Sequence, residues 1–364
     1  MYDLVTAALQ GQDLPQAARL LKQWQQTQPQ DPWLKLAMGH YWEAKGELEK
    51  AQAIYTRLLQ TAANTKLLGQ AREGVQRLRD QWARRRQQDL SAARGQPGAE
   101  ATAMLVLQPV MGAQREPAIQ GLSQIMQLDA YTARLKLPTQ HWRLYRVGPA
   151  GELRYFCEQL TAHQTPAFWA SLEDVKAIPV FRVLAIQSFT PQLTVICQNP
   201  QGQRGTLQLH WQEITQWVLG QLPIYESVVD LDPWGKLKRK ETTQDYAEIL
   251  DWHLHRRGCV LRFCDRTYRY REAAPLPTAD AESTATPLVT AVAWKALKAF
   301  FQESIQPRPC NDFTGFGAGA LDFMDLLPAF ETHLDLARQE PTPWDGAFHL
   351  YSSLRFLLSP AGRQ

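Results

Sequence analysis

The amino-acid sequence predicts an α+β multidomain fold. N-terminal helical repeats with a long capping helix precede a small αβ sandwich, a mostly antiparallel β domain and a helical C-terminal segment. At 364 residues, the chain is long enough for two or three hydrophobic cores. Apolar residues at helical spacing occupy residues 1–95 and 290–360, whereas β-branched residues with period-two alternation dominate much of the region between them. This change of period along the chain predicts separate helical and β segments.

Helical segments recur near the N-terminus with a period of about 34 residues. Ala51 and Tyr55 follow Ala17 and Leu21 at this period, within segments that carry small and large apolar residues in the same order. A small residue lets two antiparallel helices approach closely, and an aromatic residue fills the gap between neighbouring pairs. The second copy has the order small-x2-aromatic-x3-Gly-x4-Ala-x3-aromatic, formed by Gly39, Trp42, Gly46, Ala51 and Tyr55.

On these residues, the segment 1–63 resembles the tetratricopeptide-repeat (TPR) family. In the first copy Gln12 stands where the second has Gly46, so the assignment of the first copy depends mainly on the 34-residue period. The resemblance implies pairs of antiparallel helices whose first members form a concave surface that binds partners. The alternative interpretation is a helical bundle in which the regular spacing is a coincidence.

Two repeats are fewer than the three that usually make a stable array, so a capping element is expected. The segment 65–94 provides it, because its apolar residues recur every three or four positions along one helix face. Arg84, Arg85 and Arg86 lie on its other faces. They are either a solvated surface or a patch for an acidic partner or anionic lipid. The apolar stripe consists of Leu67, Ala71, Val75, Leu78 and Trp82.

The TPR resemblance places a partner-binding face on the first helix of each copy. Lysine and asparagine are missing from this face, so we do not expect a clamp for a C-terminal carboxylate, and an apolar or aromatic contact is favoured. Alternatively, its apolar side chains pack against the rest of the chain. The predicted partner-binding residues are Tyr2, Thr6, Leu9, Trp33, Leu36, His40 and Glu43.

The Gly- and Pro-containing segment 95–103 marks the first boundary, after the repeats and capping helix of residues 1–95. Residues 104–175 are predicted to form strand, helices, strand, helix and strand, with helices on one face of a three-stranded sheet and Asp129 as an N-cap. Residues 176–272 are predicted to form mostly antiparallel strands, with one helix at 241–254. Residues 273–289 are a linker or long loop, and residues 290–360 form C-terminal helices, one of them over 319–339.

Residues 104–272 also resemble cyanobacterial proteins of unassigned function. The phrases that carry this resemblance are LDAYTARLKLP, WRLYRVGPAGELR, PVFRVLAIQS and GKLKRKETTQDYAEILDWHL. The resemblance implies a setting among photosynthetic or other thylakoid-associated complexes. It implies no catalytic residue.

Three segments could carry chemistry, and each favours a structural interpretation. His253, His255, Cys259 and Cys264 lie close together in the sequence, but the cysteines would face opposite sides of a strand, so no metal site is expected. The run GFGAG at 315–319 lacks the order of a phosphate-binding loop and is predicted to be a flexible turn before a helix at Ala320. On the helix predicted at 241–254, four acids form an exposed acidic face or pair with basic residues or a metal: Glu241, Asp245, Glu248 and Asp251.

A basic loop follows one of the predicted strands. An aromatic residue and four cations in a hairpin loop could bind phosphate, an anionic headgroup or an acidic protein surface. The alternative is a solvated turn with the tryptophan folded onto the core. The predicted contact residues of this loop are Trp234, Lys236, Lys238, Arg239 and Lys240.

Composition limits the function classes. The net charge of +3 is too small to indicate a nucleic-acid partner, and no apolar run reaches the roughly 18 residues that cross a bilayer. Five cysteines without a CxxC pair favour a reducing compartment, and the N-terminus does not resemble a secretory signal. No nucleophile–base signature is present and no cofactor is expected.

The sequence therefore predicts a non-enzymatic protein-interaction or assembly factor, a scaffold with two contact surfaces. Its expected partners are proteins, with subunits of photosynthetic complexes as one possibility. The expected location is cytoplasmic, either free or in peripheral contact with the thylakoid membrane. The alternative is an RNA-binding or anionic-membrane-binding protein that uses its basic patches, which a steep loss of binding with added salt would reveal.

Overall fold

The computed structural model describes residues 1–231, 237–277, 289–338 and 340–359, without the side chains of residues 226–231 and 237–241. The chain forms two compact units, Met1–Ala92 and Ala93–Gln364. The α+β multidomain class predicted from the sequence is confirmed. Within the described residues, no helix is both long enough and apolar enough to cross a membrane.

The N-terminal unit consists of antiparallel helices with a regular offset. Both ends of α4 follow the corresponding ends of α2 by the same interval, which equals the repeat period in the sequence. Asp13 caps α2 and Asp31 caps α3, each by accepting a hydrogen bond from a backbone N–H of the first turn. The helices are α1 (Tyr2–Gln10), α2 (Leu14–Thr27), α3 (Pro32–Ala44), α4 (Leu48–Thr61) and α5 (Thr65–Arg94).

Tyr55 is the central side chain of this unit and is completely buried. A Cβ atom built on Gly39 of α3 would overlap the Tyr55 ring, and one built on Gly74 of α5 would lie 2.7 Å from it. Glycine at both positions therefore lets the ring fit between two helices. Ala51, one turn earlier on α4, is also fully buried.

Gln12 and Gly46 occupy the same position of the repeat, in the turns after α1 and α3. Both residues adopt a left-handed backbone conformation, with φ of 58° at Gln12 and 82° at Gly46. For a residue with a side chain this conformation costs about 1–2 kcal/mol. The first copy of the repeat therefore contains local strain that the second copy avoids.

Replacing Gln12 with glycine is expected to raise the free energy of unfolding by about 0.5–1 kcal/mol, because relief of the strain exceeds the added flexibility of the unfolded chain. The reverse replacement, Gly46→Gln, should lower it by about 1–2 kcal/mol, since a Cβ there meets no neighbour and adds only the strain. Urea unfolding of both full-length variants, followed by circular dichroism, measures the two effects. Changes of the same sign would contradict the explanation.

The second unit begins with a three-stranded antiparallel sheet of order β2-β1-β3. The strands and helices occur in the predicted order, and Asp129 caps α7 by accepting a hydrogen bond from the Thr132 N–H. The strands are β1 (Thr102–Leu107), β2 (Arg143–Pro149) and β3 (Ala167–Ser171). The helices are α6 (Arg115–Met126), α7 (Ala130–Lys136), α8 (Ala150–Ala162) and α9 (Leu172–Lys176).

A six-stranded sheet of order β6-β5-β4-β9-β8-β7 follows. It is mostly antiparallel, as predicted, because only the β4–β9 pair is parallel among the described strands. Its strands are β4 (Val180–Ser188), β5 (Leu193–Gln198), β6 (Arg204–Leu209), β7 (Gln216–Leu231), β8 (Leu237–Leu254) and β9 (Cys259–Cys264).

The prediction of a helix at 241–254 is wrong, because this segment is part of strand β8. The strand lies between β7 and β9, and residues on both of its faces are buried. Ala247 and Ile249 join one core, whereas Leu250 and Trp252 join another. Burial on both faces removes the polar side that a surface strand would show, so the sequence does not alternate cleanly.

The four acids of this segment consequently do not form one acidic face. Asp245 pairs with Arg266, and Asp251 is fully buried against Arg262. Glu248 pairs with Lys298. The side chain of Glu241 lies outside the described residues.

The C-terminal helices are α10 (Thr290–Ser304), α11 (Phe313–Ala320) and α12 (Pro343–Leu358). The GFGAG run lies inside α11, so the predicted flexible turn is wrong. Two of its glycines permit close packing, since a Cβ on Gly315 would overlap the His141 ring and one on Gly317 would lie 2.7 Å from the Trp344 ring. The helix predicted at 319–339 is also wrong. Two short 3-10 turns and irregular chain occupy most of this segment, and Pro328 cannot donate a helical hydrogen bond.

One hydrophobic core joins the segments predicted as separate domains at 104–175, 176–272 and 290–360. Met104 of β1 and Phe168 of β3 belong to the same cluster as Leu222 of β7 and Phe348 of α12. The three-stranded sheet is therefore covered on this side by the six-stranded sheet and the C-terminal helices. A second cluster packs α10 against the six-stranded sheet through Trp252 and other aromatic residues.

Candidate functional site

The predicted partner-binding residues of the N-terminal unit lie on α1 and α3. Six of the seven side chains are half-buried, which leaves part of each side chain accessible. Leu36 is the exception, because it is completely buried against Ala51 and Tyr55 and cannot contact a partner. The remaining six, which we call the α1/α3 face, are Tyr2, Thr6, Leu9, Trp33, His40 and Glu43.

Aromatic rings connect α1 and α3 on this face. The ring centroids of Tyr2 and Trp33 are 5.2 Å apart in an edge-to-face arrangement, and those of Tyr2 and His40 are 6.3 Å apart. The Tyr2 hydroxyl donates a 3.3 Å hydrogen bond to the side chain of Gln70 on α5. These contacts hold the rings in place while leaving part of their surface exposed.

Glu43 is held by two residues that were not among the predicted contact residues. The Arg77 guanidinium donates two hydrogen bonds of 2.9 and 3.0 Å to its carboxylate, and the Tyr55 hydroxyl donates one of 2.7 Å. Burial opposes ionisation of Glu43, but these donors outweigh it and lower the pKa of the carboxyl. Glu43 is therefore a fixed carboxylate, with 11% of its side chain exposed against 45% for Arg77.

The repeat period could have identified the contribution of α5. Arg77 follows Glu43 by 34 positions, and the same interval separates Glu43 from Leu9 and Gln70 from Leu36. The 34-residue interval thus continues from α3 into the first part of α5. Because this segment was predicted only as a cap, Gln70 and Arg77 were missed.

His40 contributes an unsatisfied polar atom to the face. Its Nε2 atom is buried and has no hydrogen-bond partner among the described residues. Burial is the main cause that lowers the pKa of His40, and the nearby Arg77 charge adds to it. The ring is consequently neutral near pH 7, and its unpaired Nε2 is enclosed by the protein.

The prediction of a loop is wrong for its last residues, which belong to strand β8. Trp234 and Lys236 lie outside the described residues. Lys238, Arg239 and Lys240 belong to β8, where their backbones pair with Asp230, Val229 and Val228 of β7. Their side chains also lie outside the described residues.

The histidines and cysteines near β9 have separate partners. The His253 Nε2 is 3.0 Å from the Ser352 Oγ, and the His255 Nε2 is 3.0 Å from the Phe356 carbonyl oxygen. Burial raises the pKa of Cys259 and of Cys264 to about 11. Across the described ranges, no three His, Cys, Asp or Glu side chains are grouped to hold a metal ion.

His253 and Ser352 have the residue types of a catalytic base and its nucleophile, but both side chains are buried away from solvent. His253 is 0% exposed and Ser352 is 1% exposed. A substrate could not reach a hydroxyl in this position. The contact instead joins β8 to α12.

Comparisons of the chain with protein-family models, with curated proteins and with solved structures gave no significant match. The function is therefore inferred from the geometry of the α1/α3 face and of the second unit.

Proposed function

We propose that this protein is a non-enzymatic interaction or assembly factor whose N-terminal helical unit binds a segment of a partner protein on the α1/α3 face. The half-buried rings of Tyr2 and Trp33 carry this proposal, because they are packed edge to face and still present accessible aromatic surface, which is typical of binding anchors. We further propose that the unit is a TPR array, which the regular offset between α2 and α4 supports.

The surroundings of His40 indicate the chemistry of the partner segment. Tyr2 and Trp33 offer half-buried aromatic surface for an apolar or aromatic side chain. Arg77 lies near His40, and its side chain is 45% exposed. Its guanidinium can donate hydrogen bonds to an acidic or carbonyl group of the partner in addition to those it donates to Glu43. Subunits of cyanobacterial photosynthetic complexes are proposed partners, and this setting is supported only by the resemblance of residues 104–272.

Photo-cross-linking from the face tests the proposal. A photoreactive phenylalanine analogue at position 6 should cross-link a protein from the native lysate, whereas the same analogue at Leu4 should not. Leu4 is the matched control, because it lies on α1 but outside the face and is 57% exposed. Thr6→Arg should weaken capture of the identified protein by about tenfold or more, while Leu4→Arg should leave it unchanged.

Two results would contradict the proposal. Equal cross-linking from positions 4 and 6 would show that the face has no specific occupant. Capture that is unaffected by Thr6→Arg but falls steeply with added salt would favour RNA or anionic-membrane binding through basic residues such as Arg84 and Arg85.

A further inference from the structure

The second unit contains a cavity of about 230 Å³ that the proposed function does not use. Strands β7 and β8 form one side of it through Gln221 and Glu248. Helix α10 contributes Trp294 and Lys298, and the chain at the start of α11 contributes Asn311 and Thr314. Pockets for drug-sized ligands usually measure about 300–1,000 Å³, so this cavity suits a smaller molecule.

An ion pair forms part of the cavity wall. The Glu248 carboxylate accepts a hydrogen bond from the Lys298 ammonium and one of 2.7 Å from the Trp294 indole N–H, both at Oε2. Burial opposes ionisation of Glu248, but these donors lower the pKa of its carboxyl, so the group is ionised. About a quarter of each side chain remains exposed, 29% for Glu248 and 25% for Lys298.

Both charged groups retain hydrogen-bonding capacity toward the cavity. The second carboxylate oxygen of Glu248, Oε1, has only a long 3.5 Å contact with the Gln221 amide. An ammonium has three donors, and Glu248 accepts one from Lys298. The side chains of Asn311 and Thr314 are exposed and have no partner among the described residues.

We propose that this cavity binds a small zwitterion, an α-amino acid. The ligand ammonium would donate to Glu248 Oε1, and the ligand carboxylate would accept from Lys298 and from the Asn311 amide. Only Glu248 and Lys298 are charged among the described residues that line the cavity, which matches a ligand with one group of each sign. Leu219 and Phe313 line the remaining wall and provide apolar surface for a side chain.

Titration calorimetry of the full chain with each of the twenty common amino acids tests the proposal. At least one should bind, and its N-acetyl and C-terminal amide derivatives should bind about tenfold more weakly or worse, since each lacks one charged contact. Lys298→Met should weaken binding to a similar degree. Lys295→Met is the matched control on the same helix, because Lys295 is exposed and does not line the cavity. It should leave binding unchanged.

Asn311→Leu provides a second variant that leaves the ion pair intact. Asn311 is exposed and without a partner among the described residues, so this change should preserve the fold and still weaken binding about tenfold through the carboxylate contact. Circular dichroism verifies folding of each variant. The absence of any heat of binding, or equal affinity in Asn311→Leu and the parent chain, would overturn the proposal and leave Glu248 and Lys298 as a structural ion pair.

Discussion

Replacing Asp251 with alanine is expected to lower the free energy of unfolding of the second unit by about 3–5 kcal/mol, because it leaves a buried arginine without its counter-charge. Arg262 is 1% exposed and Asp251 is 0% exposed. The guanidinium donates two hydrogen bonds to the carboxylate, at 2.8 and 2.6 Å, and a third to the Thr332 carbonyl. It also lies over the Phe348 ring at 5.1 Å. No other described carboxylate pairs with Arg262.

Guanidinium chloride unfolding of the full chain measures this effect through tryptophan fluorescence. Asp245→Ala is the matched control, since Asp245 lies on the same strand and pairs with Arg266 at the surface. It should leave the transition midpoint nearly unchanged.

A double replacement separates the two possible causes of the loss. Asp251→Leu combined with Arg262→Met should recover most of the stability that Asp251→Ala removes, because an apolar pair leaves no buried charge. If the double variant is as unstable as Asp251→Ala, the uncompensated charge is not the reason. A transition of Asp251→Ala equal to that of Asp245→Ala would contradict the buried pair itself.

Replacing Ala51 with arginine is expected to unfold the N-terminal unit, at a cost of several kcal/mol. Ala51 is 0% exposed and lies on α4 in the cluster formed with Leu36 and Tyr55. An arginine side chain there would both overpack the helices and bury a charge. Loss of this unit should also abolish capture of a partner on the α1/α3 face.

Ala53→Arg is the control for this prediction, because Ala53 is exposed on the same helix two positions later. Far-UV circular dichroism of the full chain should show a large loss of helix for Ala51→Arg and none for Ala53→Arg. Equal spectra and equal melting curves for the two variants would show that α4 does not pack as described.

Elements whose periodicity and local signals agree could be predicted from the amino-acid sequence. The repeat period predicted the offset between α2 and α4, because each helix buries one stripe against its neighbours. Asp129 identified the start of α7, since an N-cap acts through bonds within its own first turn. Most strands of the two sheets were recognised from β-branched and alternating residues. The same helical period placed Tyr2 and Trp33 on one face, where both rings remain partly accessible.

Features that depend on residues distant in the sequence could not be predicted, because they arise from contacts that form only in the folded chain. Strand β8 was mistaken for a helix. Both of its faces are buried, so its sequence lacks the alternation of apolar and polar residues that a half-exposed strand shows. The pairing of Asp251 with Arg262 and of Glu248 with Lys298 joins residues from different elements, which no local pattern encodes. Gly317 of α11 is explained by the close approach of Trp344 and not by a turn. The candidate sites likewise depend on side chains that the fold brings together, such as Arg77 beside Glu43.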